Sequence, residues 1–270
     1  MARKVISDEL KNEIINYYSS NIVSLSYLGE KYGLSHPTIS KILSGVPKYK
    51  KALIFNPNLK EDYFENIDCE EKAYFLGLII ADGNVFAPTD GRQRSISIVL
   101  DSADEYILKR FKDELNATTN ITHDGRGCSQ IAVRSDKMAD DLAKYGVVPR
   151  KSFITYLPEI NDDMMCHILR GILDGDGSIK AKQTNIGNRY AHSISYCGSH
   201  RLMVDISAWC KKHGISNAIV YDYKDKNLSE LKIQSIGEMY VFGKMIYQDA
   251  TIYLTRKKAL YDDFKAHYNL

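Results

Sequence analysis

AYFLGLIIADGNV (residues 73–85) and CHILRGILDGDGSI (residues 166–179) place Gly77, Asp82 and Gly83 in line with Gly171, Asp176 and Gly177 at one constant offset. The likeness extends outward from these two stretches. Ser95-Ile96-Ser97-Ile98 returns as Ser193-Ile194-Ser195-Tyr196, and the segment 130–135 returns as 230–235, with small offset changes that imply short loop insertions. Each copy reads as an apolar helix ending in Asp-Gly, two strands, a helix (103–115; 201–213), two more strands and a final helix (137–145; 239–247). The expected fold class is therefore α+β, with two pseudosymmetric αββαββα units at residues 66–150 and 151–270, the second carrying an extra C-terminal helix.

The strands alternate with a period of two, which separates an apolar face from a polar one. Ile96, Ile98 and Leu100 oppose Gln93, Ser95 and Ser97, while Ile131 and Val133 oppose Gln130 and Arg134. In the second copy Ile179 and Ala181 oppose Ser178, Lys180 and Lys182, while Leu231 and Ile233 oppose Glu230, Lys232 and Gln234. Such faces suit base edges, since amides pair with adenine, Lys and Arg with guanine, and Ser with several groups. The residues expected to touch nucleic acid are Gln93, Ser95, Ser97, Gln130, Lys180, Lys182, Ser193 and Ser195. A solvated sheet face has the same pattern in either unit alone; two in tandem favour the binding reading.

The repeated helices carry small residues four apart, Gly77 with Ala81 and Gly171 with Gly175. Interior glycine costs a helix about 1 kcal/mol relative to alanine, so its repetition asks for a compensation. Close backbone contact between the two helices supplies one, and it brings Asp82 and Asp176 together at the rim of the polar faces. Two adjacent carboxylates repel unless a cation lies between them. A hard divalent ion, Mg²⁺ by preference, resolves that repulsion and polarises a phosphate.

The first fifty residues have a different character. Ser7 or Asp8 caps one helix, and VSLSYLGEKYGLSHPTISKILSG (23–45) reads as helix, glycine turn, helix, with Gly33 ending the one and Pro37 in the first turn of the other. This resembles the helix-turn-helix of bacterial and phage DNA-binding proteins, which implies a DNA-binding domain over residues 1–47 presenting His36, Thr38, Ser40 and Lys41. No acid stands between Glu30 and Glu61, whereas Lys48, Lys50 and Lys51 sit in an expected basic linker at 48–65 and are placed to track phosphates. A three-helix pack that binds nothing, or that binds a protein partner, is the alternative for this segment.

Composition bounds the rest. The 270 residues carry 36 Lys+Arg against 34 Asp+Glu, so the net charge of +2 supplies no gross cationic field, and any nucleic-acid contact relies on local placement. Five dispersed Cys without a CxxC pair argue against a disulfide framework or a zinc knuckle and for thiols in a reducing cytoplasm. No apolar run approaches membrane-spanning length. The histidines show no ligand spacing. Arg150-Lys151-Ser152, at the junction of the units, places Lys151 and Ser152 to contact a nucleic-acid backbone, and Thr255-Arg256-Lys257-Lys258 opens the C-terminal helix with an expected solvated face.

FLGLIIADG (75–83) and LRGILDGDG (169–177) resemble the two signature helices of single-chain LAGLIDADG homing endonucleases, over residues 66–260. The resemblance implies a DNA-binding saddle, a monomer, and site-specific hydrolysis of both strands of a long pseudo-palindromic duplex, leaving 3′ overhangs. It also implies Mg²⁺ (or Mn²⁺) held by Asp82, Asp176 and the backbone carbonyls of Ala81 and Gly175. A basic or amide catalytic group is expected near the ends of the fourth strands, where Lys232, Gln234 and Arg134 stand. One departure is the sixth signature position, Ile80 in the first copy and Asp174 in the second, which is expected to alter the helix cap and not the chemistry. The rivals are a non-cleaving DNA-binding regulator and an intron RNA maturase; the presence of both acids favours cleavage. A phage or bacterial mobile element is the expected source.

Overall fold

The computed structural model describes residues 6–21, 25–46, 56, 58–89, 92–184, 189–223 and 227–270. The chain divides into Met1–Asn58 and Leu59–Leu270. That boundary falls inside the expected linker and corrects its far end. Tyr63 and Phe64, expected in the linker, are buried in the core of the larger unit, because a Tyr-Phe pair offers too much apolar surface to leave in water.

In the smaller unit α1 (Asp8–Ser20), α2 (Leu25–Tyr32) and α3 (His36–Ile42) enclose a core of Ile14, Leu28, Ile39 and Leu43. The Ser7 hydroxyl accepts from Leu10 N at 3.3 Å, Gly33 takes φ +63° after α2, and Pro37 stands in the first turn of α3. His36, Ser40 and Lys41 are exposed; Thr38 is half-buried, its hydroxyl 2.8 Å from that of Ser35. Lys48, Lys50 and Lys51 lie outside the described residues.

The larger unit repeats one order of elements. The first copy runs α4 (Glu70–Ala81), β1 (Gly83–Phe86), β2 (Ser95–Asp101), α5 (Glu105–Glu114), β3 (Thr122–His123), β4 (Cys128–Arg134) and α6 (Asp136–Lys144). The second runs α7 (Asp162–Asp176), β5 (Gly177–Gln183), β6 (Tyr190–Gly198), α8 (His200–Lys212), β7 (Ile219–Asp222), β8 (Ser229–Ile233) and α9 (Ile236–Tyr247), with α10 (Thr255–Tyr268) after it. Each copy forms an antiparallel sheet, ordered β1-β2-β4-β3 and β5-β6-β8-β7. The α+β class and both αββαββα units are as expected.

The two repeated helices pack against each other inside a single core that joins the copies. A Cβ on Gly77 would stand 2.1 Å from the Ile168 carbonyl oxygen, and one on Gly171 would stand 2.1 Å from that of Tyr74. Only hydrogen fits there. The helical cost of each glycine is offset by burial of Phe75, Leu76, Leu78, Leu169, Ile172 and Leu173 around the contact.

The sheet faces are less open than their alternation suggests. Ile96, Ile98, Ile131, Val133, Ile194 and Ile233 are buried, and Gln130, Arg134, Lys180 and Lys182 are exposed. Ser95 is half-buried, and Gln93 lies ahead of β2 and is buried. Ser97, Ser193 and Ser195 are also buried, which corrects their expected exposure. All three sit on central strands, β2 and β6, with a neighbouring strand on each side. Ser195 lies opposite Lys232 in the register and hydrogen-bonds Glu230, whose carboxylate pairs with Lys232 at 2.8 Å.

Candidate active site

Helix α4 ends with Asp82 as its C-cap, and α7 ends at Asp176. The glycine-mediated approach persists to these ends. A Cβ on Gly175 would meet the Ala81 Cβ at 2.4 Å and Asp82 Oδ2 at 3.2 Å, so the Asp82 carboxylate lies against the residue just before Asp176. Both acids keep solvent-accessible surface. Burial nevertheless pushes Asp82 up to about 6, with the charge of Asp176 as the next cause, and Lys257, Lys151 and Arg256 pull the other way. Burial also raises Asp176, against the pull of Lys151 and Lys257. This is the signature of two carboxyls held together where water solvates them poorly.

A cation between them fits that chemistry. Among the described residues no three His, Cys, Asp or Glu side chains gather at one point, so a metal here would take two carboxylates and complete its shell with carbonyl, water or phosphate oxygen. Mg²⁺ tolerates such a sparse protein contribution because it keeps several of its waters. The Ala81 carbonyl, expected as a ligand, already accepts the Lys151 ammonium at 3.1 Å, which takes up one of its two lone pairs. Gly175 is half-buried at the Ala81 contact.

Two buried lysines complete the helix ends, and the sequence pattern assigns neither role. Lys151, 5% exposed, donates from Nζ to the carbonyls of Ile80 (2.8 Å) and Ala81 (3.1 Å). Lys257, 4% exposed, donates to Leu173 (2.5 Å), Asp174 (2.8 Å) and Gly177 (2.7 Å). These positions correct the expected nucleic-acid contact of Lys151, and they set Lys257 apart from its exposed neighbours Thr255 and Arg256, which keep the solvated face. Both ammonium groups satisfy carbonyls left over at a helix C-terminus and lie at its negative pole. Burial lowers both, Lys257 to about 8. The one signal in the sequence is the dipeptide Arg-Lys shortly after the last helix of each αββαββα copy, at 150–151 and 256–257.

Asp174 is not a helix-end residue facing solvent but is fully buried. Its Oδ2 accepts from the Tyr74 hydroxyl at 2.9 Å and from Leu254 N at 2.7 Å, tying α7 to α4 and to the entry of α10, while Oδ1 has no partner. Burial lifts it to about 6. Below it Arg170, wholly buried, donates to the carbonyls of Ile252 and Ile246 at 2.8 and 2.6 Å and to Glu70 at 2.6 Å.

The fourth-strand residues are not among the main charges acting on the two acids, although Lys232 shares a cross-strand row with Ser178, two residues past Asp176. Lys232 is occupied by Glu230, Arg134 is exposed at the end of β4, and Gln234 is exposed just past β8. The cations acting on the acids are instead Lys151, Lys257 and, on Asp82, Arg256, which Asp104 holds at 2.9 Å. The histidines serve local ties: His123 lies 2.5 Å from Glu105, and His200 lies 2.7 Å from Asp222.

No family model matches the sequence, and no curated protein matches it. The fold does have solved counterparts. The I-SmaMI LAGLIDADG homing endonuclease bound to cleaved DNA is 14% identical over 72% of this chain and 87% of its own, with a TM-score of 0.51. The same meganuclease bound to an uncleaveable DNA is 12% identical over 72% and 87%, with a TM-score of 0.52. The LAGLIDADG meganuclease I-AabMI bound to uncleaved DNA is 14% identical over 73% and 89%, with a TM-score of 0.54. Over about 72% of its length the chain thus shares the fold of the LAGLIDADG meganucleases. No helix among the described residues is long and apolar enough to cross a membrane.

Proposed function

We propose that this chain is a site-specific DNA endonuclease that hydrolyses one phosphodiester bond in each strand of a long duplex, working as a monomer. The observation that carries this reading is the meeting of Asp82 and Asp176 at the ends of two helices packed so closely that only glycine is accommodated between them. Crowded carboxyls with raised pKa at a solvent-reachable rim are the arrangement found at catalytic sites, which supports cleavage over binding alone. The solved proteins of like fold are DNA-cleaving enzymes by name, which supports the same substrate class here.

Asp82 and Asp176 would hold divalent metal, Mg²⁺ or Mn²⁺, with carbonyl oxygen from the helix ends. When bound, such an ion lowers the pKa of water and neutralises charge on the scissile phosphates. The chain itself supplies the rest. Lys151 and Lys257 pin the last carbonyls of α4 and α7, so the two acids are presented on fixed backbone. The exposed side chains of the two sheets bind the duplex on either side, and the pseudosymmetry of the chain matches that of the two strands. Residues 1–47 add a helix-turn-helix contact through His36, Ser40 and Lys41, with Thr38 beside them.

The test is incubation of the full chain with a library of long duplexes and Mg²⁺, in parallel with Asp82→Asn and Asp176→Asn. Wild type is expected to cut both strands of a small set of sequences, and each Asn variant to bind them without cutting. Tight binding by wild type with no nick in either strand would overturn the proposal.

A further inference from the structure

The two sheet faces differ chemically at positions that the strand registers make equivalent. Asn84, Ser97 and Ala132 form one cross-strand row beside Asp82, and Ser178, Ser195 and Lys232 form its counterpart beside Asp176. One row further out, Phe86 of β1 corresponds to Lys180 of β5. The first copy leaves Phe86 (55%) and Val99 (43%) in water on this face, with the exposed amide of Gln130 opposite Val99. The second copy presents exposed Lys180 and Lys182 and the Lys232–Glu230 pair in the corresponding region, and keeps its exposed apolar side chains, Ile219 and Tyr221, on the edge strand β7 opposite that pair.

Each set matches a different kind of base pair. In the major groove, thymine alone offers a methyl group to an apolar side chain, and adenine offers N6 and N7 to a carboxamide. Lysine suits guanine O6 and N7, and a carboxylate accepts from cytosine N4. The Lys232 ammonium and Glu230 carboxylate, 2.8 Å apart, therefore complement the two halves of a single G·C pair.

We infer that the duplex target is divided: the half under the first copy is rich in A·T pairs set against Phe86, Val99 and Gln130, and the half under the second carries guanines set against Lys180, Lys182 and Lys232. Arg134, in the row of Phe86 and Ser95, gives the first half one guanine reader at its outer end. This inference rests on the proposed DNA reading and specifies its substrate.

The experiment selects for binding alone. The full chain is mixed, in EDTA, with randomised duplexes long enough to span both copies, and the retained sequences are read. The expected consensus has an A·T-rich half and a G·C-rich half. Combining Lys180→Ala with Lys182→Ala is expected to lower guanine preference about tenfold in the G·C half only, the scale of discrimination that one well-placed base reader supplies. Phe86→Ser is expected to relax thymine preference in the other half only. Equal base composition in the two halves overturns the division. So does a lysine variant that weakens all sequences alike, since that is the behaviour of side chains bound to phosphate. Retention of no duplex removes the DNA reading and this inference with it.

Discussion

The helix pair and the sheet faces of the duplicated body have kept their symmetry to very different degrees. At the helices the copies agree in detail: Gly77 and Gly171 each leave 2.1 Å between a would-be Cβ and a facing carbonyl, and Lys151 and Lys257 each cap the helix end beside an acid. On the sheets, Phe86 answers Lys180 and Ala132 answers Lys232. The difference has a physical cause. Backbone in contact with backbone excludes every side chain, so both copies must solve it alike, whereas a solvent-facing strand position accepts any residue that leaves the opposite face in the core.

The sharpest way to probe the symmetric half is to break one acid at a time. Asp82→Asn and Asp176→Asn are each expected to reduce cleavage by at least about 10⁴-fold, on the scale of removing a principal catalytic group. Stability should move the other way. The folded pKa of Asp82, about 6, lies above the ordinary 3.8, so the folded state binds the proton more tightly and the ionised carboxyl is destabilising at neutral pH. In metal-free buffer wild type is therefore expected to gain stability as pH falls from 7 towards 5, and Asp82→Asn to melt no lower than wild type at pH 7.5. With Mg²⁺ present the cation favours the carboxylate, so cleavage should fall only at a pH below about 6, as protons compete with metal for Asp82, and more Mg²⁺ should move that fall to lower pH. Loss of fold in Asp82→Asn at pH 7.5, seen by circular dichroism, would assign the acid a structural role instead.

Next in size is the close approach itself. Gly171→Val is expected to cost at least about 3 kcal/mol, since its side chain must displace the Tyr74 carbonyl and the Leu78 amide nitrogen. Gly237→Ala in α9, where nothing lies within 4 Å of the new Cβ, is expected to stabilise by about 0.5 kcal/mol. Denaturant midpoints at constant slope would measure both. Similar costs at the two sites would mean that the variant effects do not come from the helix packing.

The same contrast explains how much of the molecule is legible in its sequence. The duplication, the strand alternation and the approach of Asp82 to Asp176 all follow from residues that repeat, because the physical constraint acts twice on the same composition. The caps do not follow. Lys151 and Lys257 lie in segments that read as charged surface, and their burial depends on which carbonyls the helix ends leave unsatisfied, a fact of tertiary structure. Asp174 reads as a cap variant for the same reason: periodicity places it near a helix end but carries no information about Leu254 N, which arrives from 80 residues away. Ser97, Ser193 and Ser195 depart in the opposite direction, since alternation assigns a face and not whether the strand is flanked on both sides.

Smaller effects are expected where the copies are alike in kind. Lys257→Met removes the donor of the Asp174 and Gly177 carbonyls, Leu173 keeping the Gly177 amide, and Lys151→Met removes that of two carbonyls, so each is expected to cost about 2 kcal/mol, within the range for buried groups left unpaired. The pH dependence separates the hydrogen bonds from the charge. Lys257 folds with a pKa of about 8, below the ordinary 10.5, so the unfolded chain binds more protons between these values. Wild type should therefore gain stability from this group as pH rises from about 8 to 10.5, and Lys257→Met should lack that component. A difference of more than about 2 kcal/mol between the two variants would break the rule that carbonyl number sets the cost.

The smallest effect on the body concerns the segment that has no second copy. Ile14, Leu28, Ile39 and Leu43 form a core of their own, separate from the cluster that spans residues 63–264. Removal of residues 1–58 is therefore expected to change the unfolding free energy of the remainder by no more than about 0.5 kcal/mol, the scale of changes that disturb no packed group. Its effect on DNA should be visible all the same. If His36, Ser40 and Lys41 touch the duplex, the nuclease footprint shortens at one end and the slope of binding against salt becomes shallower, by about one unit for each phosphate that the three-helix unit neutralises. An unchanged footprint together with an unchanged salt slope would leave that unit without a DNA role, while the symmetric acids and the divided faces would stand as before.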